Sequence, residues 1–175
     1  MKNRRNIIVA FLLCACLIVG VGYAALTDTL DITGSADITL STLEAEFNQD
    51  IYFTAAVAND EGNTASVNND NNDKASFTAN NLAKKGDKAT FTFTLTNDGN
   101  TDLDALITPK LDSEKGNTQP QYFNIYSDWQ GEAKILEVGK TITYTVTVEL
   151  IDTPQAALSG SFLIELVATS VESNS

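Results

Sequence analysis

The chain has 175 residues, with 23 acidic against 11 basic side chains, no histidine and a formal net charge of −12 at pH 7. Three of the basic residues, Lys2, Arg4 and Arg5, stand before an apolar run from Ile7 to Val21, so the remainder is more acidic still. Such a surface repels phosphate backbones and argues against nucleic-acid binding, and without histidine the chain cannot present the usual zinc-protease, Ser-His-Asp or Cys-His sites.

A charged start followed by an unbroken apolar run is the order of a signal peptide, expected as a short helix over residues 1–24. Signal peptidase selects small side chains one and three positions before the cut. Ala24 and Gly22 supply them, which places the cut before Ala25; one residue later, bulky Tyr23 would occupy the third position. The competing reading is an uncleaved anchor, because Ile7 to Leu26 matches the ~20 apolar residues that span a bilayer. On the cleaved reading a signal peptidase is the partner during export, and membrane contact is made only through the leader. Cys14 and Cys16 both lie within it, so the exported domain has no disulfide and no thiol chemistry, which fits a bacterial envelope.

Next, residues 25–43 form an alternating β segment. Leu26, Leu30, Ile32, Gly34, Ala36, Ile38 and Leu40 share one parity and Thr27, Thr29, Asp31, Thr33, Asp37 and Thr39 the other, with Asp28 the polar exception on the apolar side. Extended, Ala25 to Leu40 would reach roughly 50 Å at about 3.3 Å per residue, well beyond an ordinary strand of about 5–6 residues. Either the ribbon folds back at Gly34-Ser35 into its own sheet, or part of it pairs with a neighbouring subunit by strand addition.

Residues 44–175 read as one β domain. Strands are predicted at 47–57, 75–79, 89–96, 103–111, 122–126, 133–138, 141–150 and 161–169. In the strand from Ala89 to Thr96 every even position is threonine, suited to the solvated face of a pleat. Ile142, Tyr144, Val146, Val148 and Leu150 form a second inward row, and Phe162, Ile164, Leu166 and Ala168 a third. Leu163 and Val167 make the opposite face of that last strand apolar too, which marks it as central or covered on both sides. Turn residues cluster at 60–63, 97–100, 114–117 and 139–140. Residues 41–47 have room for a short helical turn, and the amide-rich stretch from Asn59 to Lys74 reads as a mobile loop. The fold class expected is all-β, an antiparallel sandwich of jelly-roll or immunoglobulin-like type.

Few residues offer chemistry. Asp60-Glu61 and the run from Asp70 to Asp73 carry oxygens that calcium could use, but the glycine turn and terminal glutamate of a helical calcium loop are missing, so they read as solvated loop and no metal or other cofactor is assigned. Trp129 follows Tyr122, Phe123 and Tyr126; this group is either a platform for sugar or packing at a core edge, and packing is the simpler account. No catalytic residue is assigned.

The junction Gly22-Tyr23-Ala24-Ala25-Leu26-Thr27-Asp28 resembles the leader boundary of TasA/camelysin-type proteins, whose export is associated with the signal peptidase SipW. Further likeness lies in Asn81-Leu82, Gly86-Asp87-Lys88, Phe91, Phe93, Asn97 and Gly99, and more loosely in 144–150 and 161–169. The resemblance implies a jelly-roll-like sandwich, secreted to the cell surface or biofilm matrix of a Gram-positive bacterium and self-associating into fibres by donation of an N-terminal strand. Carried onto this chain, the donor face is Leu26, Leu30, Ile32, Ala36, Ile38 and Leu40. Camelysin has been classed as a metallopeptidase, an activity that the missing histidines disfavour here. The reading from a different class is a monomeric adhesion or ligand-binding module whose ribbon belongs to its own sandwich.

Overall fold

A computed structural model of the chain describes residues 32–42, 50–68, 72–80, 82–99, 103–111 and 117–171. The expected leader, with Gly22 and Ala24, lies outside the described residues, as do Ala25, Leu26 and Leu30 of the ribbon. Residues 31–175 form one compact unit. Its strands are β1 (Ile32–Thr42), β2 (Ile51–Ala58), β3 (Thr64–Val67), β4 (Lys74–Ala79), β5 (Lys88–Asn97), β6 (Asp104–Leu111), β7 (Phe123–Ser127), β8 (Lys134–Leu136), β9 (Thr141–Leu150) and β10 (Leu158–Val171). No helix occurs among the described residues.

The strands form two sheets, one ordered β3-β4-β1-β10-β6-β8 and the other β2-β5-β9-β7. Every connection but β3 to β4 crosses from one sheet to the other. All pairings are antiparallel except β1 with β10, which run parallel. The expectation of an antiparallel sandwich therefore holds apart from that one pair. A parallel pair needs a long crossover, and here the whole of β2 to β9 lies between the two strands in the chain.

The alternation read from sequence sets the faces. On β5, Ala89, Phe91, Phe93 and Leu95 are buried while the threonines between them are partly exposed. β9 opposes it in register, pairing Thr90 with Thr147, Thr92 with Thr145, Thr94 with Thr143 and Thr96 with Thr141 on the outer face. Inside, the ring of Phe77 from β4 stacks on Phe91 of β5 at 4.3 Å between centroids, an aromatic contact across the two sheets. β10 is central in its sheet, and Val167 on its outer face is nonetheless buried.

The stretch from Asn59 to Lys74 is more structured than its composition implies. β3 occupies Thr64–Val67 as an edge strand on β4, with Ser66 and Ser76 hydroxyls 3.1 Å apart. Its four residues alternate Thr-Ala-Ser-Val, too short and too weakly apolar to register as a strand beside an Asn/Asp run. Asn72 takes a left-handed conformation (φ 55°), in which Asn is tolerated. Its carbonyl accepts from Phe53 N–H at 2.8 Å, and the carbonyl of Asp73 accepts from Leu40 N–H at 2.7 Å, so adjacent peptide groups tie the two sheets together. Asp60 ties the segment after β2 to β5, its Oδ2 accepting from Thr90 N–H at 2.8 Å.

Buried polar groups are mostly satisfied. Asn97 donates from Nδ2 to the carbonyls of Leu103 (2.9 Å) and Leu136 (3.3 Å) and accepts at Oδ1 from Gly99 N–H, which pins the turn after β5 to two neighbouring strands. Among the described residues, one buried side-chain oxygen lacks a partner, Oδ2 of Asp50 at the head of β2.

Candidate functional site

The candidate site is the slot in the larger sheet that β1 fills. Ile32 to Thr42 pair in parallel with Leu158 to Ala168 on one side, and Gly34 to Thr39 pair antiparallel with Ala79 to Lys74 on the other. The chain runs straight through Gly34-Ser35, so the glycine marks no fold-back. It stands in the apolar row because space runs out there: a Cβ at Gly34 would lie 3.0 Å from Cε2 of Phe162.

Size complementarity sets the register of the slot. Gly34 lies between Ala79 and Gly160, Ala36 between Phe77 and Phe162, and Ile38 between Ala75 and Ile164. Where β1 offers Ala36 both register neighbours are aromatic, and where it offers Ile38 β4 recedes to alanine. Ala36, Ile38 and Leu40, three of the proposed donor residues, are at most 5% exposed in the single chain. Full burial of an Ile or Leu side chain is worth about 1.5–3 kcal/mol, so Ile38 and Leu40 contribute roughly 3–6 kcal/mol gross. The side chain of Ile32 is not among those described.

The aromatic group read from sequence divides. Trp129 is 2% exposed, donates from Nε1 to the carbonyl of Thr143 at 2.9 Å and meets Tyr144 edge-on at 5.0 Å, while Lys134 Nζ lies 5.0 Å from its ring centroid. It is core, and so is Phe123. Tyr126 points outward from β7, its hydroxyl receiving Lys88 Nζ at 3.1 Å, with Glu149 completing a surface ion pair at 3.5 Å.

Burial pushes the Tyr144 hydroxyl above its ordinary value of 10.0; the nearby Asp128 adds to this, and a hydrogen bond with Ser127 opposes it. Because the folded chain keeps this proton to higher pH than the unfolded one, its contribution is fully present below pH ~10 and is lost as pH climbs through the window above it. Tyr144→Phe is therefore expected to shrink the alkaline loss of stability, read as a smaller drop in the urea midpoint between about pH 8 and pH 11.

No carboxylate-rich metal cluster occurs among the described residues. Nor is any helix among them long and apolar enough to cross a membrane. The chain matches no protein-family model and no curated protein sequence, so the functional reading rests on its own residues and geometry.

Proposed function

We propose that the protein is a secreted, non-enzymatic structural subunit of a bacterial cell surface or biofilm matrix, which assembles into fibres when β1 of one copy fills the slot of the next. One observation carries the proposal. β1 is the first strand among the described residues and is central in its sheet, so it can be exchanged between copies with its pairings and buried side chains conserved. The balance between closed monomer and exchanged polymer is then set by concentration. A strand tethered to its own slot competes at an effective concentration in the millimolar range, which keeps dilute subunits apart until they are crowded or nucleated. The resemblance of the leader junction to TasA/camelysin-type proteins supports the same reading, as does a strongly acidic, cysteine-free exported domain. Alternation of the chain between sheets at almost every connection supports the jelly-roll type over the immunoglobulin type, whose hairpins stay within one sheet.

The second reading, a monomeric binding module, is favoured by the occupation of the slot by the chain's own β1. Asp37 and Leu163 are register partners across β1 and β10, and outside the leader the chain has no cysteine. Exported protein carrying only Asp37→Cys, mixed at high concentration with protein carrying only Leu163→Cys and treated with a short bismaleimide, is expected to give cross-linked pairs. If only the double variant cross-links, and only within itself, the strand stays at home and the monomeric module is the better description.

A further inference from the structure

The sandwich is open along one side. β2 lies against β3 and β4 of the other sheet, whereas β7 meets the other sheet at its Phe123 end, against Phe162 of β10. Between β7 and Pro109 of β6 the opening forms a cleft of about 500 Å³, within the ~300–1,000 Å³ of small-ligand sites. Its effect shows along β7, where Phe123 is 1% exposed but the equally inward Ile125 and Ser127 are each 8% exposed.

The walls fix the chemistry of an occupant. Ile125, Pro109 and the exposed ring of Tyr126 supply apolar surface, with Tyr144, 1% exposed, at the back of the cleft. No charged side chain is among the described lining residues, which suits a neutral occupant. The polar groups both donate and accept: the hydroxyls of Ser127 and Tyr144, hydrogen-bonded to each other, and the carboxamide of Gln130. Gln130 is held at φ 51° and followed by Gly131 at φ 83°, in a turn closed by Gln130 N–H on the carbonyl of Ser127 at 3.1 Å. A left-handed glutamine where glycine would sit without strain places a carboxamide at the cleft at a cost in backbone energy.

A peptide added as a strand fits less well. Residues of β7 alternate in which edge they face, and Asp128 and Tyr122 bond toward β9 and its continuation, which turns Phe123, Ile125 and Ser127 toward the cleft. That edge is already capped. Phe123 N–H donates to the carbonyl of Gln119, its carbonyl accepts from Asn117 Nδ2, and the carbonyl of Ser127 is taken by Gln130. Among the described residues only Ile125 retains both groups, too little for a ladder but enough for one hydroxyl-bearing ring.

We propose that this cleft binds a neutral sugar unit of a glycan, with Tyr126 and Ile125 against the ring and Ser127, Gln130 and the Ile125 backbone on its hydroxyls. The site is separate from the β1 slot and stands whether or not subunits exchange strands. Trp129, packed on Tyr144, reports on it. The exported protein is applied to an array of neutral hexose and N-acetylhexosamine oligosaccharides, acidic oligosaccharides and an extended threonine-valine peptide, and each binder is then titrated by tryptophan fluorescence. A neutral oligosaccharide is expected to bind saturably, and Gln130→Gly, which suits the turn, to weaken it about tenfold with the thermal midpoint retained. Binding confined to acidic sugars or to the peptide, no binding to any neutral sugar, or neutral-sugar binding unaltered in both Gln130→Gly and Tyr126→Ala overturns the proposal.

Discussion

A chain that begins at Asp50 is expected not to fold, and to recover its fold when a synthetic peptide of residues 32–42 is added. The truncation removes a central strand and leaves two facing edges open, β4 along Ala79 to Lys74 and β10 along Leu158 to Ala168. The gross loss from Ile38 and Leu40 alone, roughly 3–6 kcal/mol, is of the same order as the ~5–15 kcal/mol that holds a whole domain together. Unpaired edges add to it and invite aggregation. The peptide restores the pairing, and a peptide carrying Ile38→Asp does not, because a fully buried position would then hold an unpartnered charge. Circular dichroism and size exclusion distinguish the outcomes. A truncated chain that melts cooperatively near the parent's midpoint would show that β1 is dispensable, and with it the argument that copies are joined through this slot.

Much of this architecture is legible in the sequence, and the limits are physical. Period-two alternation names the face of each residue, so the inward rows of β5, β9 and β10 are read correctly down to single positions. β4, β6, β7 and β8 fall within a few residues of where alternation and turn residues place them. The predicted start at 47 for the second strand becomes Ile51; of residues 41–47, where a helical turn was expected, Ser41 and Thr42 instead extend β1 and 43–47 lie outside the described residues. Alternation does not name a strand's partner or its direction. The same pattern in β1 suits a parallel neighbour, an antiparallel one or another subunit, which is why the β1–β10 pairing could not be foreseen. Gly34 misleads for a related reason: in sequence a glycine beside serine signals a turn, and only the ring of Phe162, distant in the chain, reveals that it marks a close approach. The cleft beside β7 is likewise invisible, since it depends on how Pro109 and Tyr144 meet across two sheets.

Gly160→Ala is expected to be among the most damaging single-methyl changes in the molecule. A Cβ there would lie 2.6 Å from Cε2 and 2.8 Å from Cδ2 of Phe123, a ring that is 1% exposed and braced edge-on against Phe162 at 5.6 Å. The ring cannot swing aside without displacing that partner, so the change carries the overpacking cost of about 1–3 kcal/mol, or about 2–4 °C of melting temperature per kcal/mol for a domain of this size. Gly34→Ala, with its nearest contact at 3.0 Å to Phe162, is expected to cost less. Replacing Phe123 by leucine should relieve Gly160→Ala in a double-mutant cycle, giving a coupling that distant sites lack; strict additivity would remove Phe123 as the cause. Gly34 and Gly160 are register partners, which gives the pair a second consequence. If β1 slid by two residues, Ala36 would bring a methyl group to the position where Phe162 leaves room only for hydrogen. The aromatic rings over this glycine pair therefore admit one register of β1 and reject its nearest alternative, whether the strand comes from the same chain or from another copy.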